Sequence, residues 1–192
     1  MSPRHGKLKK SQYILFYIKR VPSDNIMVNR ISGKPGTNKA ARLPSPIVLL
    51  SKMKAPVVPG SLVPRQRLNS PLWHSSPPRL IFMEAAPGYG KTCTTMAWLQ
   101  EAKSPACWLT LERKDNNEFL FWEYLMCACI QLFPCMKRIT LNGQGYDTFI
   151  NQLLNELAIA CDGATDQRRT LVIDNFHHIN RSELCQRFDH FL

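Results

Sequence analysis

From about residue 79 onward, short apolar runs alternate with longer stretches whose apolar positions recur at helical spacing. The pattern predicts strands over 80–84, 106–111 and 171–174, and helices over 91–103, 117–133 and 146–161. A Gly-containing connection falls near 142–145, and 181–192 offers one short helical pattern with no second beside it. Strands that alternate with helices predict an α/β domain, a parallel sheet covered by helices on both faces. The last strand, Thr170-Leu171-Val172-Ile173-Asp174, is β-branched and apolar until it ends on an acid, the form of an interior parallel strand. No internal repeat is visible.

Before residue 79 the pattern is different. The only long apolar run near the N-terminus is Tyr13-Ile14-Leu15-Phe16-Tyr17-Ile18, flanked by Lys7, Lys9, Lys10, Lys19 and Arg20. It is shorter than a signal-peptide core and far too short to span a bilayer, so neither export nor a membrane anchor is expected. A turn-rich stretch follows, Ser32-Gly33-Lys34-Pro35-Gly36-Thr37-Asn38. The expected organisation is a basic, disordered leader over 1–47 and a truncated α/β domain over 48–192.

Charge sharpens this division. The chain of 192 residues carries a formal +11, which taken whole suggests a nucleic-acid partner. Residues 1–70, however, hold 14 Lys/Arg against the single acid Asp24, and residues 71–192 hold 11 against 13 Asp/Glu. The basicity thus belongs to the leader. That segment reads as a solvated tail, as a polybasic arm for nucleic acid or anionic lipid, or as sequence translated upstream of the true start; its lack of acids also permits an organelle transit peptide. The seven cysteines form no C-x-x-C pair and read as small apolar residues in a reducing cytosol, without a zinc site or disulfide framework.

The chemistry lies between the first domain strand and helix. Ala85-Ala86-Pro87-Gly88-Tyr89-Gly90-Lys91-Thr92 matches the phosphate-binding pattern G-x-x-x-x-G-K-[ST] except at its first position, Ala85. Successive backbone N–H groups and the positive end of a helix hold the anion in such a loop, so Ala85 is tolerable while Gly88 and Gly90 supply the curvature. Lys91 is placed for the β- and γ-phosphates and Thr92 for Mg2+, with Asp174 as the acid that completes the cation's shell. The cofactor contacts expected are therefore Ala86, Pro87, Gly88, Tyr89, Gly90, Lys91, Thr92 and Cys93 for ATP, and Thr92 with Asp174 for the metal. Asn175 follows, where many ATPases place a second acid to polarise water, so binding is better supported than hydrolysis and no catalytic residue is assigned. His177 and His178 stand nearby, as γ-phosphate sensors or as solvent-facing residues.

Taken in order, Leu49-Leu50-Ser51-Lys52-Met53-Lys54-Ala55-Pro56, Leu62-Val63-Pro64-Arg65-Gln66-Arg67-Leu68, the loop at Ala86–Thr92, Trp108-Leu109-Thr110-Leu111 with Asp115-Asn116, Phe121-Trp122-Glu123-Tyr124-Leu125 and Leu171-Val172-Ile173-Asp174-Asn175-Phe176-His177 resemble the start of the large ATP-dependent LuxR-type transcription activators. The resemblance covers about 48–192. It implies a partial P-loop NTPase sheet in a signal-transducing switch, in which ATP and an inducer favour an oligomeric, DNA-binding form in the cytoplasm. It also puts Arg67 near the adenine. Departures are Lys114, Asn117 and Glu118, where the family tends to Gly, Asp and Pro, and Asn175, where a second Asp is usual. DNA contacts would come from a helix-turn-helix beyond these residues. In the family a further strand inserts between the P-loop strand and the one ending on Asp174; without it the sheet is expected to be interrupted and ATP binding weak or absent. Two other readings stand beside this one: a nucleic-acid or membrane-surface module working through the leader, and an inactive gene fragment.

Overall fold

The computed structural model describes the backbone of residues 12–19 and residues 48–57, 80–141, 143–162 and 169–192. Its elements are β1 (Gln12–Lys19), a 3-10 turn (Leu50–Met53), β2 (Leu80–Ala85), α1 (Lys91–Ala102), β3 (Ala106–Thr110), α2 (Glu118–Leu132), α3 (Tyr146–Asp162), β4 (Arg169–Asp174) and α4 (Ser182–Phe191). The mixed α/β class and the alternation of strands and helices beyond residue 79 are as the sequence implies.

One sheet organises these elements, in the order β2-β1-β4-β3. β3 and β4 are parallel, and β1 is antiparallel to both β2 and β4. β2, β3 and β4 therefore run the same way and bring their carboxyl ends to one rim. The expected interruption is not found. Its place between β2 and β4 is taken by leader residues, with Ile14 opposite both Met83 and Asp174, and Phe16 opposite both Ile81 and Val172. Residues 12–19 within the leader form the strand β1; the remainder of 1–47 lies outside the described residues. The physical reason is in the run itself. Its six apolar residues, aromatic or β-branched except for Leu15, contain neither Gly nor Pro, and successive residues alternate faces, so both faces are apolar.

The two faces of the sheet are covered differently. Ile81, Met83, Trp108 and Val172 face α1, which buries Trp98 and packs Met96 and Leu99 against them. Cys107, Leu109, Leu171 and Ile173 face the larger core built by α2, α3 and α4. Helix α2 is buried from Phe121 through Cys129, and Trp122 meets Phe149 of α3 and Phe191 of α4 edge-on, at centroid distances of 6.3 and 6.0 Å. Edge-to-face contacts of this kind suit the ring quadrupole.

Two departures from the family pattern have structural roles. Asn117 caps α2, its Oδ1 accepting from the Leu120 N–H at 3.1 Å, and Glu118 accepts from Arg187 of α4. Lys114 is exposed and pairs with Glu112 at 3.0 Å. Of the cysteines, Cys107, Cys127, Cys129 and Cys161 are buried as expected, whereas Cys93 and Cys135 are exposed.

Candidate phosphate-binding site

After β2 the chain turns sharply. The Tyr89 N–H donates to the Ala86 carbonyl at 3.4 Å, and Gly88 at the third corner has φ 83°. Pro87 before it gives the residue order of a type II turn, in which the third corner needs a positive φ. Gly90 then adopts φ 75°, ψ 23° as the N-cap of α1, whose first turn contains no acidic residue. Its positive end is therefore not neutralised from within the helix. Tyr89, between the two glycines, is 68% exposed.

Lys91, the first residue of α1, is only 6% exposed. Its ammonium donates to the Ala85 and Ala86 carbonyls at 2.7 and 2.9 Å, which folds the side chain back along the loop. An ammonium has three donors, so two carbonyls fix its position and leave one direction for another acceptor. Thr92 is half-buried and Cys93 exposed on the same helical turn. Thr95 closes the turn behind them, donating to the Lys91 carbonyl at 3.0 Å.

Asp174 ends β4 at the same rim. It lies opposite Thr110 of β3 and Ile14 of β1, on the sheet face that α1 covers. Burial raises its pKa, while the Asn175 N–H, donating at 2.8 Å to Oδ1, and the Lys91 charge act the other way. The Lys91 charge therefore favours the ionised form of Asp174. His177 shares the neighbourhood: burial, His178 and Lys91 all lower its pKa. Asn175 has φ 61°, a left-handed conformation that Asn tolerates better than most residues, which gives this departure from a second acid a backbone reason. Arg67 lies outside the described residues.

Sequence reasoning gave no role to a buried ion pair that holds the rim loops. Lys52 donates to Asp115 at 2.5 Å and pairs with Glu112 at 3.2 Å, and Asp115 also accepts from the Glu112 N–H at 2.7 Å. Lys52 is 5% and Asp115 0% exposed. Asn116 beside it accepts from the Asn180 and Arg181 N–H groups at 3.1 and 3.2 Å, tying the loop after β3 to the loop after β4. The signal was present, since Lys52 and Asp115-Asn116 both fall in the stretches that carry the resemblance, but nothing in the sequence showed that they meet.

The arrangement offers a cationic, amide-lined turn at a helix N-terminus facing one half-buried carboxylate. Among the described residues no cluster of three or more His, Cys, Asp or Glu is placed to hold a metal by itself. Magnesium does not require one, since it is commonly held by one or two carboxylates together with phosphate oxygens and water. The hydroxyl of Thr92 and the carboxylate of Asp174 are oxygen donors of the right kind.

Comparison with known proteins places this stretch in long chains. Over 149 residues, 76% of the chain, it is 30% identical to the HTH-type transcriptional regulator MalT of Serratia proteamaculans, and the same holds for MalT of Yersinia pestis. It is 29% identical over 149 residues, 73% of the chain, to the serine/threonine-protein kinase PknK of Mycobacterium tuberculosis. The chain spans 16% of the MalT regulator's length and 13% of the PknK kinase's. No family model and no solved structure matches it.

Proposed function

From the premise that this chain is a relative of the large LuxR-type regulators, we propose that it is their nucleotide-binding switch module, taking ATP with Mg2+ at the turn between β2 and α1. The observation that carries the reading is the position of Lys91: a buried ammonium, pinned by the two carbonyls that open the loop, whose charge acts to lower the pKa of Asp174. A buried charge needs a partner, and a polyphosphate is one. In this reading the backbone of Ala86, Pro87, Gly88, Tyr89 and Gly90 and the first turn of α1 through Cys93 surround the phosphates. Thr92 and Asp174 take the cation, and Arg67 lies toward the adenine. A bound cation would favour the ionised form of Asp174 and offset what burial costs it.

The relatives support a role that is neither phosphotransfer to protein nor DNA contact. One is named a kinase and the other an HTH-type regulator, so what they share over this stretch is common to both activities. Asn175 supplies no carboxylate to deprotonate water, and the module is read as a binding switch with slow or no turnover. Oligomer formation, DNA contact through a separate part of a longer protein and a cytoplasmic setting belong to this proposal. Among the described residues no helix is long and apolar enough to cross a membrane.

The test is thermal. Binding to the native state alone raises the melting temperature by mass action. With β1 filling the slot between β2 and β4, weak binding is no longer expected: Mg2+ and ATP should raise the melting temperature of the full chain, and Lys91→Ala should remove the rise. An unchanged melting temperature in the wild type, or an equal rise in Lys91→Ala, overturns the reading.

A further inference from the structure

β3 and β4 end side by side on the rim that carries the phosphate loop. Their last residues, Thr110 and Asp174, are register partners in the parallel pair, and the Leu111 N–H donates to the Asp174 carbonyl at 3.0 Å, which holds the two ends level. Trp108 and Thr110 are alternate residues of β3 and so share a face, the one that carries Val172 and Asp174 on β4 and that α1 covers. Thr110 and Asp174 are both half-buried there. Neighbouring strands lie about 4.7–4.9 Å apart, so the two side chains stand one strand spacing from each other.

The hydrogen bonding of Thr110 has a direction. Trp108, only 2% exposed, gives its indole Nε1–H to Thr110 Oγ1 at 3.1 Å. An indole N–H is a donor only, so the hydroxyl is the acceptor in that bond and its own hydrogen is left for another acceptor. Thr110 is also β-branched, with few χ1 positions open to it, and the bond to a buried ring selects among them. On the next strand, at the same level and on the same face, stands a group that can only accept when ionised. Asp174 Oδ1 takes the Asn175 N–H at 2.8 Å, and a carboxylate has further lone pairs for a second donor.

We propose that Thr110 is a positioning residue of the cation site: its hydroxyl, oriented by the Trp108 indole, donates to the Asp174 carboxylate and sets the direction in which that carboxylate meets the magnesium accompanying the nucleotide. This rests on the reading of the loop as a nucleotide site and deepens it. Carboxylates that ligate a metal are themselves hydrogen-bonded, and losing such an outer partner typically costs about tenfold to a hundredfold in metal affinity. A hydroxyl does this without adding charge beside Asp174 and Lys91.

The experiment uses the full chain. ATP affinity is measured twice for each protein, with magnesium and with EDTA in its place, beside the ligand-free melting temperature. Wild type is expected to bind more tightly with magnesium. Thr110→Val, close to threonine in shape, loses roughly tenfold to a hundredfold of the affinity measured with magnesium and keeps that measured with EDTA. Thr110→Ser, which restores the hydroxyl, regains most of the loss. Trp108→Phe removes the indole donor and leaves the hydroxyl; it shares any fall in ligand-free melting temperature with Thr110→Val but gives up a smaller part of the magnesium-dependent gain. Equal loss of that gain in Trp108→Phe and Thr110→Val means that the threonine serves the indole and not the carboxylate, and overturns the proposal. A gain unchanged in Thr110→Val, a loss that is the same with EDTA, or a wild type indifferent to magnesium overturns the role of Thr110 and leaves the nucleotide site standing. Should Thr110→Val not fold, Thr110→Ala is read by the same criteria. Failure of wild type to bind ATP under either condition removes the nucleotide reading along with this one.

Discussion

Asp174 is held where its charge is disfavoured, and the sign of that effect can be followed with pH. Burial raises its folded-state pKa above the unfolded value. The native state therefore binds the proton more readily, and the associated stability is fully present below the ordinary carboxylate range and lost as pH rises through the raised value. Asp174→Asn, which still accepts from the Asn175 N–H, is expected to melt higher than wild type at pH 7 and to converge with it at acid pH. It should also lose the magnesium-dependent part of any nucleotide response. A variant less stable than wild type at pH 7 would show that the carboxylate is stabilised in place. The glycines of the turn make a second case. A Cβ at Gly88 meets no atom within 4 Å, so its constraint is the φ of 83° alone. Gly88→Ala is expected to cost about 1–2 kcal/mol by urea denaturation, the penalty of a left-handed residue with a side chain. The motif at Gly90, Lys91 and Thr92 stood out in the sequence because the proposed phosphate binding needs particular residue types at fixed spacing. Asn175 was legible only as a missing acid. Its left-handed backbone is a torsion angle, and no residue pattern around it announced that torsion.

Elements were readable in proportion to how local their causes are. Helix α1 runs from Lys91 to Ala102 and α2 from Glu118 to Leu132, each within one residue of the bounds their periodicity predicts. β1 was not recognised as a strand. A six-residue apolar run was weighed against the length a membrane or a signal peptide needs, when it also has the length of an ordinary interior strand. Which partners it pairs with depends on the slot between β2 and β4, both distant from it in sequence. Phe16→Asp, which puts a charge in the middle of that strand, is expected to lower the melting temperature by several degrees; no change would mean that β1 contributes little to the sheet. The Lys52–Asp115 pair has the same non-local character. Asp115→Ala leaves the Lys52 ammonium with the half-exposed Glu112 and the Tyr124 ring, whose centroid is 5.0 Å away. It is expected to destabilise by about 3–5 kcal/mol in urea, more than Lys52→Met with Asp115→Leu together, because a broken buried pair costs more than an apolar replacement. Equal losses for the single and double changes would contradict this.

The whole molecule reads as one sheet whose rim brings together segments far apart in the chain: the loop after β2, the end of β4 and the tied loops around Asn116. Its α/β class and both strands of the expected phosphate site were visible in the sequence, whereas the continuity of the sheet was not. The large core also predicts thiol reactivity. Burial, with the neighbouring Cys127, pushes the Cys107 thiol up to about 12. Alkylation of the native chain should therefore mark Cys93 and Cys135 first and leave Cys107 unmodified, read by mass spectrometry of its peptides. Early modification of Cys107 would mean that the β3–α2 interface opens. The central claim, that this rim grips a polyphosphate, is tested most directly by following backbone amide resonances while magnesium and ATP are titrated into the full chain. The account predicts that the largest shifts fall on Gly88, Gly90, Lys91 and Thr92, with Asp174 and Asn175 responding only when magnesium is present; shifts confined to other segments, or none at saturating nucleotide, would contradict it.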